Sequence, residues 1–326
     1  MSILARLAAG CAVAAALLAS VAPAIAQTPY PTRPVRITVP FGPGGIADIT
    51  VRVVAEKLTE KLGQQFVIEN LPGAGGITAA RAALQATADG YTLALMTNGT
   101  AISVPLFKKL PFNPVKDFEP VSSLGYFDFL FLTGGGSKYQ SVADLVAFAK
   151  ANPGALNVGT VNVGSSQNLS AELFKSMAGI DFTIVPYKTT PDLVIATTRS
   201  DVDLMIDSYA SAKAMMMDKK IRALASSGPA RSPVTPDLVT VDESGVKGFE
   251  VTSWNAIFAP AGTPKEVIAI LNKTIGEVMV MPDVKKRLLE LGIEAKASTP
   301  QELGDRLKSD IAKWTAVIDK AGIEKQ

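Results

Sequence analysis

The residues best placed to do chemistry lie in FGPGGIAD, residues 41–48. A strand-like VRITVPF runs into glycines, and a helix-like pattern follows. Such a turn aims backbone N–H groups at an anion, helped by the positive end of the helix dipole. Gly42, Gly44 and Ala47 match the G-x-G-x-x-G/A spacing of a dinucleotide turn. Glu69 ends the next strand, where an acid would meet a ribose. Asp48 argues against a dinucleotide, because its charge in the first helical turn opposes a pyrophosphate. It also has a plain structural use, since an acid there stabilises a helix by about 0.3–1 kcal/mol. No G-x-x-x-x-G-K-[ST] occurs, so a P-loop is excluded. Three further turns are similar in kind: NLPGAGG (70–76), TNGT (97–100) and GSSQN (164–168). In the last, a helix N-cap explains one serine, but less readily Ser165, Ser166 and Gln167 together. Asp207 closes the strand-like DVDLMID, either as a ligand contact or as a solvated strand-end acid.

What is missing narrows the chemistry further. The sequence has no His and one Cys, Cys11, which lies in an apolar leader. That leader carries a single charge, Arg6, and ends in the small-x-small signal Ala24-Ile25-Ala26. It reads as a secretory signal peptide, residues 1–26, cleaved before Gln27. A transmembrane anchor is the competing reading, but Pro23 and the cleavage signal end the run. The mature chain then has neither Cys nor His. Thiolate chemistry, Cys/His metal sites and Ser-His triads are excluded, and no cofactor or metal is expected. A net charge of +2, without a basic run, gives no reason to expect nucleic acid or a membrane surface as partner. About 300 residues suggest two domains.

The elements must hold the four turns together. Val51, Val54, Ala55, Leu58 and Leu62 recur on one helical face, and Gly63 stands where a C-cap belongs. QQFVIEN (64–70) and YTLALMTN (91–98) read as strands with a second glycine turn and helix between them. This βαβαβ pattern implies a parallel sheet with right-handed crossovers. A second α/β unit spans roughly 128–250. In it Ser141 caps one helix, and Leu169, Leu173, Phe174 and Met177 form the expected buried stripe of another. The C-terminal part reads as mainly helical. All four turns fall at the carboxyl ends of strands, where a doubly wound sheet takes its ligand.

Seven blocks, in order, carry a resemblance: YPTRPVRITVPFGPGGIADITVRVVAEKL, NLPGAGGITAA, ADGYTL, VGSSQNLSAELF, IVPYK, DVDLMID and WNAIFAPAGTP. Together they resemble the substrate-binding proteins of tripartite tricarboxylate transporters, the Bug family. The resemblance implies an α/β protein with the type II periplasmic binding protein fold, two α/β domains around a cleft joined by two crossing strands. The strands would lie near 126–132 and 250–260. Domain 1 would comprise 27–127 and 255–326, and domain 2 would comprise 128–254. It implies a periplasmic monomer that binds a small carboxylate: a dicarboxylate or tricarboxylate, an acidic amino acid or an aromatic acid. Its further partner would be the membrane components of the transporter. Carried over by position, the ligand contacts are Phe41, Gly44, Gly45, Asp48, Asn98, Gly164, Ser165, Ser166, Gln167 and Asp207. The Pro43-Gly44-Gly45 turn would hold one carboxylate partly through water. Two segments depart from the family pattern. YKTTPDL (187–193) stands where relatives have YKGSGPA, and Arg199-Ser200 replaces a Gly-Gly turn. If that turn needs positive φ, the change costs on the order of 1 kcal/mol. Two rivals stand beside this reading: an exported nucleotide-dependent oxidoreductase using the Gly42/Gly44/Ala47 turn, and a sensor that passes its ligand signal to another protein.

Overall fold

A computed structural model describes residues 30–232 and 234–326. The signal-peptide expectation and Cys11 lie outside those residues. In chain order the elements are β1 (Val35–Val39), α1 (Ile46–Leu62), β2 (Phe66–Asn70), α2 (Ile77–Leu84), β3 (Thr92–Thr97) and α3 (Asn98–Leu106). They continue with β4 (Phe118–Gly134), α4 (Val142–Ala151), β5 (Asn157–Val161), α5 (Ser166–Ala178), β6 (Thr183–Tyr187) and α6 (Thr190–Arg199). Then come β7 (Leu204–Ser208), α7 (Tyr209–Met217), β8 (Ile221–Ser226), β9 (Thr252–Pro260), α8 (Lys265–Met279), α9 (Pro282–Leu289) and α10 (Pro300–Ala321).

Alternating apolar strands and one-faced helices build two groups of strands. In the first, β1 lies between β2 and β3, all parallel, with Ile37 opposite Ile68 and Leu93. The βαβαβ expectation therefore holds. α1 packs Val51, Val54, Ala55 and Leu58 inward and ends at Gly63, whose φ of 71° is the left-handed region that glycine enters freely. In the second group β5 lies between β6 and β7, again parallel. One long strand serves both. The first part of β4 pairs antiparallel with β9, ending with Asp128 opposite Thr252. Its last part runs between β7 and β8, with Leu130 opposite both Asp207 and Ser226. The return passes through Ser227, whose N–H and carbonyl bond Phe129 O and Val251 N at 2.8 Å each.

Buried aromatics hold the second group, with Phe131, Phe174 and Phe249 edge to face at 5.0–6.3 Å. Met177 departs from the expected stripe. It lies in the last turn of α5, where its methyl group reaches over Gly248 in an outer loop, and it is 39% exposed. The C-terminal helix docks on the first group through two buried indoles. Trp254 Nε1 donates to Asp310 Oδ2, and Trp314 Nε1 donates to Asn98 Oδ1, both at 2.7 Å. Ser200 caps α6 at φ 64°, so the residue that replaces a glycine does adopt the left-handed conformation. Among the described residues no helix is long and apolar enough to cross a membrane.

Candidate functional site

The β1–α1 turn is fixed by Asp48 from within. Its Oδ2 accepts from the Gly44 N–H at 3.0 Å. Its Oδ1 accepts from Arg52 Nε and from Asn70 Nδ2, both at 2.9 Å. Asn70 Nδ2 also bonds Phe41 O at 3.0 Å, so one amide links the strand end, the turn and the helix. Burial pushes the Asp48 carboxyl up, but the bonds from Arg52, Gly44 and Asn70 together outweigh it and hold it below its ordinary value. Gly44 needs its φ of 85° to bring that N–H onto the carboxylate. The next residue, Gly45, is the N-cap of α1, and no side chain caps the helix there. The N–H groups of the first turn, Ile46 and Ala47, have no partner within the helix.

Asp207 is the matching acid of the second group, and its surroundings differ. It is fully buried and has no cation at hydrogen-bond distance. The Ser208 N–H bonds it at 2.6 Å, Thr190 Oγ1 at 3.2 Å and Gln167 Nε2 at 3.5 Å. Burial pushes its carboxyl up, and these donors only partly offset that.

Between the two strand groups lies a narrow cavity, about 20 Å³ in volume. Phe41, Gly42, Gly45, Ile46 and Ala47 line it from the first group; Val161, Ser166, Gln167, Lys188 and Thr190 line it from the second. Thr97, Phe127, Phe129, Ser253 and Asn255 form its floor. The first turns of α1, α5 and α6 therefore open on one space, each bringing the positive end of a helix dipole. No acidic side chain lines it, and Lys188 is its one cation. The walls meet at the rim. A Cβ on Gly42 would lie 2.7 Å from Thr189 Cγ2, and one on Gly44 would lie 3.0 Å from Pro191. Asn162 Nδ2 reaches Pro40 O at 3.3 Å, and Ser166 Oγ lies 3.3 Å from Ser253 Oγ.

The ten residues carried over from the resemblance thus divide. Phe41, Gly45, Ser166 and Gln167 line the cavity. Gly44 and Asp48 do not; each satisfies the other inside the turn. Asp207 stands behind Gln167 and Thr190. Asn98 is held away from the space, because its amide bonds Thr252 O and Trp314. Gly164 and Ser165 line a smaller cleft with Gly75, Gly76 and Gly99, where Gly75 N bonds Val163 O at 3.0 Å across the groups. Sequence reasoning missed Lys188, Thr190, Ser253 and Asn255 as lining residues. For Thr190 the signal was the altered YKTTPDL segment, read as a loss of glycines rather than a gain of polar groups; Lys188 stands in the IVPYK block, which carried the resemblance but no site role. Among the described residues no cluster of His, Cys, Asp and Glu could hold a metal ion.

The family described as "Tripartite tricarboxylate transporter family receptor" matches residues 50–323. The chain belongs to this receptor family. Protein BugT of Bordetella pertussis is 31% identical over 306 residues, covering 93% of this chain and 94% of its own. An R. palustris protein solved with adipate superposes with a TM-score of 0.87 at 35% identity, covering 90% of this chain and 99% of that one. MatC from Rhodopseudomonas palustris, solved with malate, gives 0.85 at 32% identity, covering 89% and 100%. The periplasmic binding protein BugD gives 0.87 at 32% identity, covering 91% and 100%, and this receptor shares its α/β architecture.

Proposed function

We propose that this receptor is exported to the periplasm and binds a small carboxylate in the cavity between its two strand groups. One observation carries the reading: three helix N-termini, one of them uncapped, open on a space that no acid lines. The carboxylate would accept hydrogen bonds from the first-turn N–H groups of α1, and Ser166 and Lys188 would meet it from the other side. Residues 27–127 with 255–326 would form one lobe and 128–254 the other. Closure over the ligand brings Gly42 against Thr189, and the closed form, as a monomer, delivers its cargo to the membrane components of a tripartite transporter. Ligand favours closure to the extent that it binds the closed form more tightly. Micromolar affinity needs about −8 kcal/mol, within reach of several charge-assisted bonds in a closed site. The bound carboxylates of two relatives support this reading, and neither relative argues for catalysis.

The nucleotide reading loses its support at Gly44, whose N–H is bonded to Asp48 rather than directed outward. A thermal-shift panel of monocarboxylates, dicarboxylates and tricarboxylates, with NADH as comparison, tests the proposal. Stabilisation by at least one carboxylate and none by NADH is expected. A response to NADH alone would overturn it.

A further inference from the structure

Asn255 occupies an unusual place in the cavity. It lies on β9, opposite Thr97 on β3 and Gly125 on β4, and is completely buried. Its Nδ2 donates to Thr50 Oγ1 at 2.9 Å. The orientation of that amide is fixed by what Thr50 can do. A hydroxyl carries one proton, and that of Thr50 goes to Ile46 O at 2.6 Å. Thr50 can then only accept from Asn255, so the nitrogen must face α1. The other end, Oδ1, is a buried acceptor with no protein partner, in a side chain that lines the cavity. A buried acceptor left unmet is costly, on the order of 1–3 kcal/mol.

A carboxylate cannot meet this need. Ionised, it offers only lone pairs, and against Oδ1 they repel. Yet the carboxylate belongs close by, because Asn255 is one hydroxyl away from Ile46, the first helical residue of α1. Part of the opposite wall, beside Lys188 and Ser166, has the same polarity. Thr190 gives its one proton to Asp207, which leaves it only lone pairs, and Gln167 gives Asp207 one of its two amide protons and keeps Oε1 as an acceptor. The site thus combines N–H donors at the helix end with acceptors around it.

We infer that Asn255 reads a hydrogen-bond donor on the ligand: the receptor prefers a small carboxylate carrying a hydroxyl or ammonium group beside the carboxylate over the same acid without it. The inference rests on the carboxylate reading of the cavity.

Isothermal titration of the purified protein with succinate, malate and aspartate tests it, because the three share one carbon skeleton and differ only in the added donor. Glutarate, 2-hydroxyglutarate and glutamate repeat the comparison at the next length. The substituted member of a series is expected to bind about 10- to 100-fold more tightly than its parent. Which substituted member wins identifies hydroxyl or ammonium as the donor. In Asn255→Leu that ratio should fall below about threefold, since the acceptor is gone. Thr50→Val is a second variant, which frees the amide to turn its nitrogen inward and should shrink the ratio likewise. Equal affinity within both series, with water satisfying Oδ1, overturns the inference while leaving the carboxylate reading intact. A ratio unchanged in the folded variants also overturns it. Binding by no member of either series overturns both.

Discussion

Asp48 and Asp207 stand on opposite sides of the same cavity, and both read from sequence as ligand contacts. Neither lines that cavity, and the structure treats them in opposite ways. Asp48 is paired with Arg52 at 2.8 Å and bonded by two further donors, so its charge is favoured and its turn is fixed before any ligand arrives. Asp207 is fully buried with only neutral donors, so its charge is disfavoured. What it does is hold Thr190, Gln167 and the start of α7 in place. The first wall is thereby left with backbone donors, while on the second Asp207 takes up the Thr190 proton and one amide proton of Gln167. A cavity can be tuned by acids that do not line it.

The largest expected effect tests the second wall. Asp207→Ala leaves the Ser208 N–H, Thr190 and Gln167 without their acceptor and should cost about 3 kcal/mol in urea unfolding. Asp207→Asn keeps the shape and should cost much less. The first wall comes next. Asp48→Ala should cost about 1–2 kcal/mol and loosen the Gly44 turn. The two acids should also differ in sign with pH. Because the folded-state value of Asp48 is lowered, its contribution is present above the unfolded value near 3.8 and disappears as pH falls through the folded one. Asp48→Asn should therefore flatten the acid limb of the stability profile. Asp207 is raised, so what it contributes is present at low pH and fades as pH rises through its folded value. Equal pH profiles for the two asparagine variants would break the comparison.

A third acid sharpens it. Asp128, where β4 passes from one group to the other, is raised to about 6 by burial and by Glu250. Its folded value exceeds its unfolded one, so stability should fall as pH rises from about 4 to 6. Asp128→Asn should remove that fall and gain about 1–2 kcal/mol at pH 7.5, measured by chemical unfolding. The smallest effect belongs to the rim. Gly42 has ordinary backbone angles, so Gly42→Val strains no backbone, and in the open form proposed for the free protein it should leave melting almost unchanged. Its side chain would meet Thr189, and ligand affinity should drop about tenfold, or 1.4 kcal/mol.

Much of the fold was legible because local rules and tertiary demands agree. The α1 stripe, the Gly63 cap and the Ser141 cap each name their element, and the βαβαβ order follows from them. The positive φ of Ser200 could be foreseen from the missing glycines. The site was only partly legible. Phe41, Gly45, Ser166 and Gln167 follow from the turns that carry them, since a helix start at a strand end must face the same edge. Asn255 could not be found that way. Its meaning comes from Thr50, 205 residues away in sequence, whose single proton decides which end of the amide is left unpartnered. Asp48 is ambiguous for a related reason. An acid after a glycine turn looks the same in sequence whether it holds a ligand or holds the turn.

The central claim is that an acid-free cavity of helix N-termini binds a carboxylate. Isothermal titration of the protein, unfolded in guanidinium to strip any carried ligand and refolded, tests it most directly. Saturable binding of one carboxylate per chain in the micromolar range is the expected result, weakened about tenfold by Gly42→Val. Absence of heat across two-, three-, four-, five- and six-carbon carboxylates, from a chain shown to have refolded, would contradict it.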